Sequence, residues 1–380
     1  MNRLIYLDYN ATTPVDPRVA EAMWPFVTEH FGNPSSTHEL GRRAKAAVDK
    51  ARAQVADLLG CQADEIVFTS GGSESNNAAI KGVAWALRER GNHIVTSQIE
   101  HPAVLNPLRW LERNGFTVTY LPVDRLGMVR VADVEAAITP KTILLTIMHA
   151  NNEAGTIEPI AEIGQVARAR VVLLHTDAAQ SVGKIPTRVD ELNVDLLTIA
   201  GHKLYAPKGI GALYVRRGVN FVSLIHGAGH ESGRRAGTEN VLYVVALGKA
   251  CELAAAELDS RQAHLVKLRD YFHDGLKRLF GASLHLNGHP TERLPNTLNL
   301  GFEGRIGSDV LAALGEVAAS TGSACHAGSH EMSPVLKAMS IPERIGLGAV
   351  RFSLGQETTA EEIDRVLRLF ESKLLRRETR

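Results

Sequence analysis

Cysteine is scarce in this 380-residue chain: only Cys61, Cys251 and Cys325, far apart and in no CxxC spacing. That scarcity excludes a disulfide framework and a zinc knuckle. Excess charge is missing too, because 42 basic residues balance 42 acidic ones. Nothing electrostatic therefore points to direct nucleic-acid binding or to a membrane surface as the main partner. No apolar run approaches the length of a membrane span, and the opening Met1 to Asp8 holds no signal-peptide core. A soluble, cytoplasmic protein is the expectation. Neither the GxxxxGK[ST] nor the GxGxxG fingerprint occurs, which speaks against nucleoside triphosphates and dinucleotides as ligands. Internal repeats and low-complexity tracts are also absent.

What the chain does contain is an α/β pattern. Between about Ala44 and Ala255, β-rich runs alternate with helical ones: Glu65 to Thr69, Asn92 to Ser97, Thr117 to Pro122, Thr142 to Met148, Val171 to Thr176, Asp195 to Ala200 and Gly211 to Val215. Such alternation predicts a mostly parallel, seven-stranded sheet covered on both faces. Runs such as Val171-Val172-Leu173-Leu174 alternate little, which suits strands buried on both sides. A long amphipathic helix is predicted from about Glu252 to Phe280, followed by a smaller α+β unit and a last helix over Thr359 to Leu375. The predicted division is a large domain over 15–256 and a small α+β domain formed by 1–14 with 257–380.

Polar clusters follow the strands, where ligands gather in sheets of this kind. Lys203, in Gly201-His202-Lys203, closes the sixth run, and Asp177, in Asp177-Ala178-Ala179-Gln180, closes the fifth. A lysine can hold a cofactor aldehyde, and a carboxylate can keep a pyridine nitrogen protonated. Ser70-Gly71-Gly72-Ser73 opens a helix after the first run, and its glycines and helix N-terminus suit a phosphate, although an ordinary turn would look the same. His101 could stack on a planar ring or carry a proton. Gln180 could meet a ring oxygen, and Asn151 a carboxylate or that same oxygen. Arg351, within the strand-like Val350-Arg351-Phe352-Ser353, is a candidate carboxylate clamp or a structural ion pair. Cys61 and Cys251 read as small hydrophobes near or within helices. Cys325 differs, because Ser320 to His330 is a run of small and polar residues in which a thiol would be accessible as a nucleophile, with His326 and His330 near it in sequence.

Taken together, these segments resemble the fold-type I pyridoxal phosphate enzymes and, within them, the cysteine desulfurases of the NifS/IscS type. The resemblance runs from Tyr6-Leu7-Asp8-Tyr9-Asn10-Ala11-Thr12-Thr13-Pro14 through Phe31 to His38, Met148 to Glu153 and Arg234 to Asn240, and ends with Gly322-Ser323-Ala324-Cys325 and Arg351 to Gly355. It implies that Lys203 carries pyridoxal 5'-phosphate, Asp177 pairs with the ring nitrogen, Gln180 meets the ring hydroxyl and His101 stacks on the ring. Gly72, Ser73 and His202 would hold the phosphate, with Thr238 reaching across from the second subunit of a homodimer. Asn151 and Arg351 would bind the carboxylate of L-cysteine. Cys325 would take the sulfur as a persulfide, release L-alanine and pass the sulfur to an acceptor protein for iron-sulfur cluster assembly, tRNA thiolation or DNA phosphorothioate modification.

The sequence departs from the family pattern at Ala200, where a serine or threonine commonly bonds the phosphate, at Ser73, where threonine is frequent, and at His326, where a small polar residue is usual. The spacing from Cys325 to Val335-Leu336 matches the long-loop group, whose cysteine is expected to be at most partly ordered at rest. The chain also ends soon after its last helix, without the longer tail that some members use to dock a scaffold, which leaves the acceptor open. Alternatives are a selenocysteine lyase, a class V aminotransferase, which would have no use for Cys325, and a scaffold of the same fold without the chemistry. A visible cofactor band and the relative rates on L-cysteine and L-selenocysteine separate them.

Overall fold

The computed structural model describes residues 4–321 and 331–375. A short strand, β1 (Ile5–Tyr6), precedes the seven strands of the central sheet: β2 (Ile66–Thr69), β3 (His93–Ser97), β4 (Thr117–Leu121), β5 (Thr142–Thr146), β6 (Leu173–Asp177), β7 (Leu196–Ala200) and β8 (Gly211–Val215). Their spatial order is β2-β8-β7-β6-β5-β3-β4. β8 runs antiparallel to both neighbours, while the other pairs are parallel. Each strand coincides, within a residue or two, with one of the seven predicted runs.

Successive strand residues point to opposite faces, and both faces are covered. Phe68, Val95 and Leu197 join the core beneath the helices Glu39–Leu59, Ile160–Ala169 and Val241–Phe280. Their neighbours Val67, Ile94 and Leu196 join a separate core beneath Gly72–Ala86 and Pro102–Glu112. This two-sided burial explains why the runs read as nearly continuous apolar sequence.

The Val241–Phe280 helix is 40 residues long and begins earlier than the predicted Glu252. Asn240 caps it by accepting from the Tyr243 amide, and the apolar run Val244 to Cys251 continues the same helix. Its first half packs into the sheet core through Val244, Leu247, Cys251 and Ala254. Its second half packs into another core through Leu265, Leu268, Phe272 and Leu276.

That other core surrounds a three-stranded antiparallel sheet, in the order β12-β10-β9, made of β9 (Leu284–Asn287), β10 (Thr297–Phe302) and β12 (Ala349–Ser353). Ile5 and Leu7 belong to it. β11 (Val317–Ala318) pairs in parallel with β1. The last helix is capped reciprocally by Thr359 and Glu362, runs as an α-helix over Ala360–Phe370 and finishes as a π-turn over Glu371–Leu375.

Candidate active site

The carboxyl ends of β2, β3, β6 and β7 face a cleft of about 760 Å³, closed on the side of the small sheet by Arg351. Of the residues singled out in the sequence, Gly72, Ser73, His101, Asp177, Gln180, His202, Lys203 and Arg351 all line it. Their assembly follows from topology, because parallel strands put the turns after them on one edge of the sheet.

Lys203 sits in a tight turn, Gly201–Lys203, directly after β7. Tyr205, just beyond, has a left-handed backbone (φ 62°), which a bulky side chain rarely adopts. Thr13 holds that conformation by accepting from the Tyr205 amide at 2.9 Å, and the Tyr205 hydroxyl accepts from the Gln356 amide at 2.8 Å. The Lys203 ammonium donates to the main-chain oxygens of Asn10 and Ala11 at 2.5 Å and 2.7 Å. Burial, reinforced by Arg351 and opposed by Asp8 and Asp177, lowers its pKa to about 8. A substantial fraction is therefore the neutral amine near physiological pH, the form that attacks an aldehyde.

Asp177, 7% exposed, ends β6. Its carboxylate accepts from the Asn76 side chain at 2.7 Å and the Ala179 amide at 2.9 Å. No arginine or lysine pairs with it among the described residues, so its charge remains available to a cationic ring nitrogen.

His101 caps the Pro102–Glu112 helix, its Nδ1 accepting from the Ala103 amide at 3.1 Å. In the neutral ring the proton is then on Nε2. Its pKa is lowered, chiefly by burial, with Asp177 raising it and Lys203 lowering it.

The turn after β2 has Gly71 at φ 148° and ψ −179°, a conformation that side chains disfavour, and it leads into the helix at Gly72. Ser73 is exposed on the first turn of that helix. Glu74 ties the turn to its surroundings by accepting from the Ser70 amide at 2.8 Å and pairing with Arg235 at 2.9 Å. The side chain of Ala200 faces the same turn, since a Cβ placed on Gly72 would lie 3.2 Å from the Ala200 Cβ. No hydroxyl is present at that point. His202 bonds Thr12 through Nδ1 at 3.2 Å, and burial first, then neighbouring cations, lowers its pKa to about 4. It is a neutral imidazole at pH 7.

Arg351, on β12, pairs with Asp8 at 2.7 Å and donates to the Asn152 main-chain oxygen at 3.0 Å. Its Nε is buried and has no partner among the described residues. The sequence left a carboxylate clamp and a structural ion pair open; the geometry contains the ion pair and an unused donor beside the cleft.

Two predicted site residues stand elsewhere. Asn151 is fully buried, and its side chain is spent on its own loop and on the loop after β3, accepting from the Glu153 and Ala154 amides and donating to the Ile99 oxygen. Its neighbour Asn152 lines the cleft instead. Thr238 is exposed in the segment that Arg235 tethers to the glycine turn after β2 through Glu74. Cys325 and His326, with the expectation about their order, lie outside the described residues.

Sequence reasoning assigned no role to Asn10, Asn76, Asn152 or Lys184, which the fold brings to the site. The only signal for Asn10 was its place in the Tyr6 to Pro14 segment. Lys184 stands four residues after Gln180, a spacing that turns helical in this segment.

The aminotransferase class-V family profile matches residues 5–366. A protein of Methanosarcina thermophila named cysteine desulfurase IscS is 52% identical over 368 residues, covering 96% of this chain and 91% of the relative. A solved structure described as a NifS-like protein superimposes with a TM-score of 0.91 at 39% identity, covering 97% of this chain and 98% of that one. Another, described as SspA in complex with cysteine, gives a TM-score of 0.82 at 40% identity, covering 93% of this chain and 100% of that one.

Proposed function

From the membership of this chain in the aminotransferase class-V family, where it is a pyridoxal-phosphate-dependent cysteine desulfurase of the NifS/IscS type, we propose how its residues share the conversion of L-cysteine to L-alanine and enzyme-bound sulfur. The observation that carries this assignment is the convergence of Lys203, Asp177, Gln180, His101 and Arg351 on one cleft at the carboxyl edge of the sheet.

The residues present fit the cofactor. A partly neutral lysine, a buried carboxylate with no cationic partner, a glycine turn at a helix N-terminus and a neutral histidine are the donor set that an aldehyde, a pyridine nitrogen and a phosphate require. Lys203 would hold the aldehyde carbon, Asp177 the ring nitrogen, Gln180 the ring oxygen and His101 the ring face, with Gly72, Ser73 and His202 on the phosphate. When bound, pyridoxal phosphate supplies an electron sink for the bonds at the substrate's α-carbon.

Arg351 binds the substrate carboxylate, for which its buried and unpartnered Nε is the supporting observation. His101 carries a proton on Nε2 because Nδ1 is occupied by the Ala103 amide. Lys203, whose pKa is lowered to about 8 chiefly by burial, would serve as the base that moves a proton at the substrate. Asn151 acts by shaping the loop that presents Asn152. Cys325 accepts the sulfur as a persulfide and delivers it to an acceptor protein, serving iron-sulfur clusters, tRNA or the DNA backbone. A thiol in that role needs a reducing compartment, which supports a cytoplasmic location. Among the described residues no helix is long and apolar enough to cross a membrane.

The enzyme works as a homodimer in this reading, with Thr238 completing the partner's phosphate site. Support comes from the exposed Thr238 segment and from Trp24, Val27, Phe31 and Leu40, four large apolar side chains exposed within one stretch of chain. Residues 15–256 form the large domain, and 1–14 with 257–380 form the small one.

Replacing Lys203 with Ala abolishes both the visible cofactor band and alanine release from L-cysteine. Cys325→Ser abolishes alanine release and keeps the band. Absorption spectra and alanine assays check both, and full activity in either variant would refute the assignment. Trapping labelled persulfide on Cys325 and following the label identifies the acceptor.

A further inference from the structure

Behind the ring-binding residues lies a lysine that the proposed reaction does not use. Lys184 is 8% exposed, and no carboxylate among the described residues pairs with it. Its Nζ donates to Gln180 Oε1 at 2.9 Å and to Asn10 Oδ1 at 3.3 Å. Removing an ammonium from water without a counter-ion is expensive, and an apolar residue of similar length would fill the same space at lower cost. Burial, then Lys203 and Arg351, lowers its pKa to about 7.

The bonding pattern leaves Gln180 one orientation. An ammonium only donates, so the atom facing it is Oε1. At the other end the main-chain oxygen of Asn10, which only accepts, takes a hydrogen bond from Nε2 at 2.9 Å. That second contact keeps the orientation the same when the lysine is neutral. One N–H of Gln180 is thereby used on Asn10, and the other remains for the cleft that Gln180 lines. Asn10 cannot drift, because its side chain donates to Thr297 Oγ1 at 2.8 Å and Asn152 O at 3.2 Å, and its amide donates to Ser353 Oγ at 2.9 Å.

We propose that Lys184 is a positioning residue for the cofactor's ring oxygen: it locks the Gln180 amide with an N–H toward that oxygen and places a positive charge behind it. This rests on the assignment of Gln180 to the ring oxygen. Without the lysine one of the two contacts that set the amide's orientation is lost, and an amide that turns presents its own oxygen, which repels an anionic ring oxygen. Other charges act on the same locus. Lys203 and Arg351 act on Lys184, Lys184 acts on His202, and Asp8 and Asp177 oppose the cations at Lys203. Lys184 supplies the part of this field that is coupled to an amide orientation. A donor N–H and a positive charge facing that oxygen favour its anionic form, so the visible band of the bound cofactor would titrate at lower pH.

The test uses full-length apoprotein reconstituted with pyridoxal phosphate, read by the pH midpoint of its visible band and by the cofactor dissociation constant. Lys184→Met raises the midpoint by about one pH unit, the size expected for removing a nearby charge, and weakens cofactor binding about tenfold, the worth of one good hydrogen bond. In a Gln180→Ala background the same replacement still raises the midpoint, because the charge is removed, and no longer weakens cofactor binding, because there is no amide left to orient. Lys184→Gln keeps a neutral donor, so it raises the midpoint while retaining more affinity than Lys184→Met; if the methionine variant does not fold, this variant's midpoint decides. An unchanged midpoint in the folded Lys184 variants overturns the proposal, and so does an equally large loss of affinity in the Gln180→Ala background. Gln180→Ala with wild-type midpoint and affinity would instead overturn the placement of Gln180 at the ring oxygen, and this inference with it.

Discussion

Ala200 shows how one side chain can tune the site. It ends the strand that delivers Lys203, and it meets the phosphate turn through a methyl group where a hydroxyl would add a donor. Ala200→Ser is therefore expected to tighten pyridoxal phosphate binding by up to about tenfold, the value of a single hydrogen bond to a charged group. Equilibrium titration of the apoprotein checks this, and an unchanged or weaker constant would mean that other groups already saturate the phosphate. At this scale the sequence was readable wherever the chemistry demands a rare type of residue in a particular place. Lys203 and Asp177 at strand ends met that condition. Asn76, which orients Asp177, and Lys184, which holds Gln180, did not, because an asparagine in a helix and a lysine in a turn are ordinary residues until their partners are known. Asn151 presents the opposite case: it stands in the expected motif, and its amide is engaged by the Glu153 and Ala154 amides and the Ile99 oxygen.

The elements that shape the phosphate turn depend on a close approach at Gly211, the first residue of β8. A Cβ there would stand 2.5 Å from the Ile199 oxygen and 2.7 Å from the Gly71 Cα, neither of which can yield without moving β7 or the turn. Gly211→Ala is expected to lower stability by about 1–3 kcal/mol, as overpacking commonly does, and to weaken cofactor binding at the same time. Urea unfolding with and without pyridoxal phosphate measures both, and wild-type stability would show that the strands separate more easily than their packing implies. Strand positions were legible from apolar, β-rich runs between helices. The antiparallel direction of β8 was not, because strand direction depends on pairing partners rather than on local composition. The long helix was read as starting late, since its first turns are buried and lack the polar face that marks an amphipathic helix.

At the scale of the molecule, one 40-residue helix joins the two main cores, and the cleft lies where the large sheet meets Arg351 of the small one. The exposed apolar side chains between Trp24 and Leu40 are expected to be covered by a second copy. Trp24→Asp combined with Phe31→Asp should convert a dimer to a monomer in sedimentation velocity. Pyridoxal phosphate should bind more weakly to that monomer, because Thr238 would no longer reach it. A variant that stays dimeric would place the interface elsewhere.

The sequence alone determined the fold class, because strand and helix periodicities are local, and its resemblance to the cysteine desulfurases pointed to the cofactor and the reaction, because the ordered motifs that carry the resemblance are legible without the fold. Tertiary structure alone decided which amides and charges surround those groups. Asn10 meets Thr297, and Arg351 meets Asp8, across hundreds of residues of chain. Contacts of that kind arise from packing one sheet against another, and no local pattern in the sequence encodes them.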